Sequence, residues 1–141
     1  MTAKEYLERY RHLKADIDSK TEQLKELRTL AESVGHSSGT GCSGETSDKV
    51  GKTVAKIVDM ENDISCQIEK LFELKNKIEG TIAKVDNPVL RQLLTLRYIN
   101  GKNWEQISVD LTYSRMQIYR LHEKALKKVK DVIECYIRSV L

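Results

Sequence analysis

Leu90–Val129 reads LRQLLTLRYINGKNWEQISVDLTYSRMQIYRLHEKALKKV, and this stretch decides the fold. It divides into three helices at two local signals. Asn100-Gly101 ends the first, because glycine takes the left-handed conformation that a β-carbon resists. Asn103 caps a short second helix, with Gln106 three residues on as its capping-box partner. Trp104, Ile107 and Leu111 fall at i, i+3 and i+7, which gives that helix one apolar face. Ser108 is small enough to let a crossing helix come close. Thr112 and Tyr113 make the turn, and Ser114 caps again with Gln117 in the capping-box position. Ile118, Leu121, Ala125 and Leu126 form the buried stripe of the last helix. Its other face carries Arg115, Gln117, Arg120, Lys124, Lys127 and Lys128. The last two helices thus have the lengths and turn of a helix-turn-helix. An apolar back, a polar tip and a basic flank are what a helix laid in a DNA major groove needs.

On these residues the segment resembles region 4 of the sigma-70 family, which reads the upstream promoter element. The similar residues are the Leu-x-x-Arg-Tyr before the turn, Trp-Glu-Gln-Ile, Leu111, Ser114-Arg115, Ile118 and the closing Lys-Ala-Leu-Lys-Lys. Most of the chain is also similar, more loosely, to small phage-encoded proteins that carry such a module behind a helical N-terminal half. The ArpU and RinA type of late-gene transcription regulator is among them. Three positions depart from the sigma pattern. Met116 stands where those factors typically carry an acid that contacts a base, and Tyr119 fills a basic contact position. The resemblance therefore implies the fold and not the base preference. Thr112 stands where many such turns place Gly or Asn, and a β-branched residue tolerates positive φ poorly.

Charge is divided unevenly along the 141 residues, whose net is +3. Residues 1–86 hold 14 basic and 16 acidic side chains, and residues 87–141 hold 10 basic and 5 acidic. A basic C-terminal segment points toward nucleic acid there. Cys42, Cys66 and Cys135 lie far apart, form no CxxC pair and have no His at ligand spacing. An odd cysteine count and an N-terminus without an apolar core suggest reduced thiols in a cytoplasm, which the phage resemblance implies is that of a bacterial host cell. No apolar run approaches the length that crosses a membrane.

Outward from the module, residues 4–34 carry a heptad seam: Tyr6, Tyr10, Leu13, Ile17, Lys20, Leu24, Leu27, Ala31 and Val34. Lys20 is its one charged member, expected to lay its stem on apolar surface with its ammonium in water. Leu7 and Leu30 widen the stripe. Gly35 is expected to cap this helix, and Gly/Ser/Thr-rich residues 35–47 to form a flexible loop. That loop lacks the GxxxxGK[ST] pattern of a phosphate cradle. A second helix runs from about Asp48 to Val85. Its seam is Val50, Val54, Ile57, Glu61, Ile64, Ile68, Leu71, Lys75, Ile78, Ile82 and Val85, with Met60, Phe72 and Leu74 beside it. Two seamed helices joined by a loop read as an antiparallel hairpin, too small to be stable without a further partner. Asp86 or Asn87 with Pro88 starts the next helix. After Lys130 the apolar spacing continues through Ile133, Tyr136 and Val140. This tail should pack on the hairpin or on its copy in a second subunit.

The expected fold is therefore all-α: a helical hairpin over 1–86, then a helix-turn-helix over 87–141 whose last helix is extended. No catalytic, metal or cofactor constellation is apparent. His122-Glu123 lacks the second His of a zinc-protease motif, and His122 reads as an outward or rim residue. The expected function is a sequence-specific transcription regulator, phage- or prophage-encoded by resemblance, that binds double-stranded DNA as a homo-oligomer. Ser114, Arg115, Gln117, Tyr119 and Arg120 are the base-edge candidates, because recognition helices enter the groove with their N-terminal turns. Lys102, Lys124, Lys127 and Lys128 are the phosphate candidates. Two alternatives stand beside it. One is a phage terminase small subunit. The other is a module that binds RNA polymerase without reading DNA, which the absence of the family's acid at Met116 leaves open.

Overall fold

The computed structural model describes residues 1–36 and 45–140, with backbone alone for 34–36 and 45–48. Every regular element among these residues is helical, so the fold is all-α. The elements are α1 (Ala3–His36), α2 (Glu45–Ala83), α3 (Pro88–Leu94), α4 (Trp104–Leu111) and α5 (Arg115–Val140). The α1 helix continues through Gly35 instead of ending there, and α2 begins at Glu45 instead of Asp48. Neither edge carries a proline, and extending an existing helix adds a hydrogen bond for each residue fixed. The rest of the expected loop, with Cys42, lies outside the described residues, as do the side chain of Val34 and all of Leu141.

Two bodies are present: residues 14–70, and residues 1–13 together with 71–141. The sequence reading divides the chain at 86/87 instead. The grouping differs because Leu7, Tyr10, Ile78, Ile82 and Val85 share one buried cluster with Leu90, Leu93, Leu94, Tyr98, Ile107, Ile118, Ala125 and Val129. The ends of the long helices thus form part of the core under the C-terminal helices.

Local sequence builds that body. Asn87 Oδ1 accepts from Val89 N at 2.9 Å and Leu90 N at 3.4 Å, with Pro88 in the first turn of α3. Arg91 Nη1 donates to Val85 O at 2.6 Å and ties that helix to the end of α2. A π-helical turn, Thr95–Ile99, extends α3, with Asn100 N donating to Thr95 O at 2.9 Å. Tyr98 is buried within it. Gly101 then adopts φ +69°, the left-handed value expected of it. At the far end of α5, Ile133 packs on the core, but Tyr136 is 61% exposed and Val140 67%. The tail's last two turns are therefore uncovered in the single chain, apart from Lys84 Nζ lying 5.5 Å from the Tyr136 ring centre.

In residues 14–70, α1 and α2 run antiparallel, joined by Lys20 Nζ to Asp63 Oδ2 at 2.8 Å and by an Arg28–Glu61 ion pair. The α1 seam is as expected: Ile17 and Leu24 are buried, and Lys20, Leu27 and Ala31 are half-buried. Lys20 is half-buried and holds the Asp63 carboxylate. The α2 seam differs. Thr53, Ile57, Met60, Ile64 and Gln67 are covered, whereas Val50, Val54 and Ile68 are exposed, as is Leu30 on α1. Both candidate stripes contain Ile57 and Ile64, and they differ by one position in between. Met60 and Glu61 are both half-buried, with the Glu61 carboxylate paired to Arg28, so the covered stripe takes in the expected acid as well as Met60. Further along α2 and just past its end, in the other body, Leu71, Leu74, Ile78, Ile82 and Val85 are covered while Phe72 is 63% exposed.

Candidate nucleic-acid interface

The α4–turn–α5 unit is fixed at both caps. Asn103 Oδ1 accepts from Gln106 N at 2.9 Å, and Gln106 Oε1 accepts from Asn103 N at 3.1 Å. Ser114 Oγ accepts from Gln117 N at 3.3 Å, and Gln117 Oε1 accepts from Ser114 N at 3.0 Å. Each reciprocal pair satisfies two helix-end donors. Between them Thr112 adopts φ 58° and ψ 36°, so this turn does use the left-handed geometry that threonine resists. Tyr113 N donates to Ser108 O at 3.2 Å and Thr112 N to Val109 O at 3.3 Å, closing α4 in a Schellman arrangement. The Ser108 hydroxyl donates to Tyr113 O, so this small side chain ties the turn down.

The apolar back of α5 seats it. Ile118, Ala125 and Val129 are fully buried, and Leu121 and Leu126 are half-buried beside them. His122 is not an outward residue: it is 8% exposed and lies within this stripe. Its Nε2 shares a hydrogen bond of 2.6 Å with Tyr98 Oη. Its ring stacks on Tyr98 with centroids 5.9 Å apart and meets the Trp104 ring edge-on at 4.7 Å. Burial, together with the charges of Lys4 and Arg97, lowers the His122 pKa to about 4. Burial pushes Tyr98 up to about 12, with Glu8 adding to the effect. The pair is thus a neutral imidazole bonded to a neutral phenol. Spacing of four, three and four through Ile118, His122, Ala125 and Val129 is the signal that marks His122 as buried. Trp104 is half-buried against the same cluster, with the Arg97 guanidinium 4.4 Å from its ring centre.

The base-edge candidates gather at the N-terminal end of α5, and three of them already have work there. Ser114 and Gln117 spend their side-chain oxygens on the cap. Arg115 is ion-paired with Glu105 of α4, a link ten residues long that no local pattern reveals. Tyr119, 49% exposed, tilts against Trp104 with centroids 5.6 Å apart. Arg120 has its Nη2 3.9 Å from Met116 Sδ.

The phosphate candidates divide. Lys102 is ion-paired with Asp110 on α4. Lys124, Lys127 and Lys128 line a shallow cleft with Asp86, Asn87 and Pro88 at the start of α3. Among the described residues no carboxylate lies within ion-pairing distance of Arg120, Lys124, Lys127 or Lys128. These four occupy i, i+4, i+7 and i+8, one continuous face about 12 Å long at 1.5 Å per residue. Sequence reasoning did not single out Met116 as a contact, although it is 66% exposed in the first turn of α5.

Among the described residues there is no group of three or more His, Cys, Asp or Glu side chains that could hold a metal ion. None of the described helices is long and apolar enough to cross a membrane. No curated protein and no solved structure matches the chain. Residues 33–130, well over half of the 141, match a family described as a protein of unknown function, and the chain belongs to that family, DUF1492.

Proposed function

We propose that this chain is a sequence-specific DNA-binding transcription regulator, phage- or prophage-encoded by its resemblance, that inserts the first turns of α5 into a major groove. The observation that carries the reading is the division of the α5 surface. Its back is seated by fully buried Ile118, Ala125 and Val129. Its front has a tip with the polar side chains of Ser114, Arg115, Gln117 and Tyr119, and beyond it the cationic face of Arg120, Lys124, Lys127 and Lys128. A helix positioned this way meets base edges with its tip and the backbone with its later turns. Arg115, Gln117, Tyr119 and Arg120 are the base-edge residues, with Ser114 at the cap. Lys124, Lys127 and Lys128 are the phosphate residues. Lys102 reaches a phosphate only by leaving Asp110. Selection of bound duplexes from a random pool tests the reading: enrichment of one motif supports it, and no binding to any duplex at low salt removes it.

The protein acts as a homo-oligomer on this reading. Support comes from apolar side chains left exposed in two places: Val50, Val54 and Val58 on α2, and Tyr136, Ile137 and Val140 on the tail. Sedimentation that shows a monomer at high micromolar concentration overturns it. The RNA polymerase-binding alternative draws on a separate observation, that Arg115 and Lys102 are already engaged by Glu105 and Asp110. Binding to polymerase with no enrichment of any duplex favours that alternative.

A further inference from the structure

Met116 is the most exposed side chain of the α5 tip that has no polar function, at 66%. It takes no part in the core or in the caps. Every other residue of the first turn is engaged: Arg115 with Glu105, Gln117 with Ser114, and Ile118 in the core. Met116 therefore presents a flexible apolar thioether at the tip, with the Arg120 guanidinium alongside at 3.9 Å. In a major groove, a guanidinium pairs with the O6 and N7 of guanine. The apolar feature that a base offers there is the 5-methyl group of thymine. The distance from Arg120 Nη2 to Met116 Sδ, 3.9 Å, is close to one base step of about 3.4 Å.

Resting on the DNA-binding reading, we infer that Met116 is a specificity-determining residue that packs on the 5-methyl group of a thymine one base step from the guanine read by Arg120. The selected motif then contains adjacent T and G, and recognition there depends on a methyl group as well as on hydrogen bonds. A carboxylate at this position would instead accept a hydrogen bond from cytosine N4, so an apolar methionine favours the other pyrimidine.

The test uses the full chain and the duplex that it enriches from a random pool. Affinity is measured on that duplex and on copies in which single thymines are replaced by deoxyuridine, which removes the methyl group alone. One position is expected to lose about fourfold, the contribution of one buried methyl-sized group. Met116→Ala should bind the thymine duplex about fourfold more weakly and show no further loss on the uracil duplex. Met116→Leu should restore most of the discrimination. Arg120→Ala should keep the thymine-over-uracil difference and lose the preference for the neighbouring guanine. Equal wild-type affinity for every uracil-substituted duplex overturns the inference while leaving DNA binding intact. Full discrimination retained by Met116→Ala does the same. Absence of binding to any duplex overturns the DNA reading itself, and the inference with it.

Discussion

The two bodies of this chain solve the burial problem differently. Around α3, α4 and α5, Leu93, Leu94, Ile107, Ile118, Ala125 and Val129 are all 0% exposed. In residues 14–70, Ile17, Leu24 and Ile64 retain 6–8% exposure, while Val54 and Val58 remain about half exposed at 50% and 47%. The first body encloses its core from several directions. The second has only two helices, and two helices leave a face of each open to water. The difference teaches where function needs rigidity. On the proposed DNA-binding function the α5 tip has to be held in register to read a base, and it stands on the closed core. The paired helices carry apolar surface beyond what one chain covers, which suits assembly.

The largest test of this contrast applies one substitution to both regions. Leu93→Ala should cost about 4–5 kcal/mol and Leu24→Ala near 2 kcal/mol, the two ends of the range for buried leucines. Denaturant unfolding, followed by Trp104 fluorescence and by helical circular dichroism, measures both. Equal losses would erase the distinction.

Acid should act on the closed core through His122. Its folded pKa, lowered to about 4, lies below the ordinary value of 6.5. The unfolded chain therefore takes up a proton first as pH falls. Stability is fully present above about pH 6.5 and is lost progressively as pH falls toward 4, by roughly 3 kcal/mol in all. His122→Phe should flatten this dependence in the Trp104 signal. A wild-type profile that is level between pH 7 and 4 contradicts the buried neutral imidazole.

How much of this the sequence disclosed depends on range. The caps at Asn103 and Ser114 and the left-handed Gly101 are decided within a few residues and were legible, while the cap of α3 was narrowed to Asp86 or Asn87 and falls on Asn87. The apolar back of α5 was legible too. The α2 seam was half legible: Ile57, Glu61 and Ile64 are covered as their spacing implies, whereas the partner helix leaves Val50, Val54 and Ile68 exposed and covers Thr53, Met60 and Gln67 instead. The Arg115–Glu105 pair, the His122–Tyr98 bond and the union of Leu7 and Tyr10 with the C-terminal core join residues far apart in sequence. No periodicity reports such pairs. The strain at Thr112 was half foreseen, since the residue flagged a problem whose answer only the backbone gives.

That strain supplies a smaller test. Thr112→Gly should stabilise the closed body by about 1 kcal/mol, since a left-handed non-glycine residue costs of order 1–3 kcal/mol and glycine's own entropy cost offsets part of the gain. Thermal unfolding read at Trp104 should rise. A fall would mean that the threonine contributes more through its hydroxyl, which donates to Leu111 O at 2.7 Å, than it loses in the backbone. Smaller still is Asp63→Ala in the paired helices. Its ion pair with Lys20 is 55% exposed on the acid's side and should be worth about 0.2–1 kcal/mol, less in high salt. A larger loss would mean that the pair sets the register of these helices.

The central claim, that the tip of α5 reads bases while its later turns hold the backbone, is tested most directly by salt titration of variants on selected and scrambled duplexes. Arg115→Ala or Arg120→Ala should weaken binding to the selected duplex by about 1–3 kcal/mol and change scrambled binding far less. Lys127→Ala with Lys128→Ala should weaken both about equally and lower the salt slope by roughly one unit per lost contact. Equal loss on both duplexes for the arginine variants would contradict base reading by the tip.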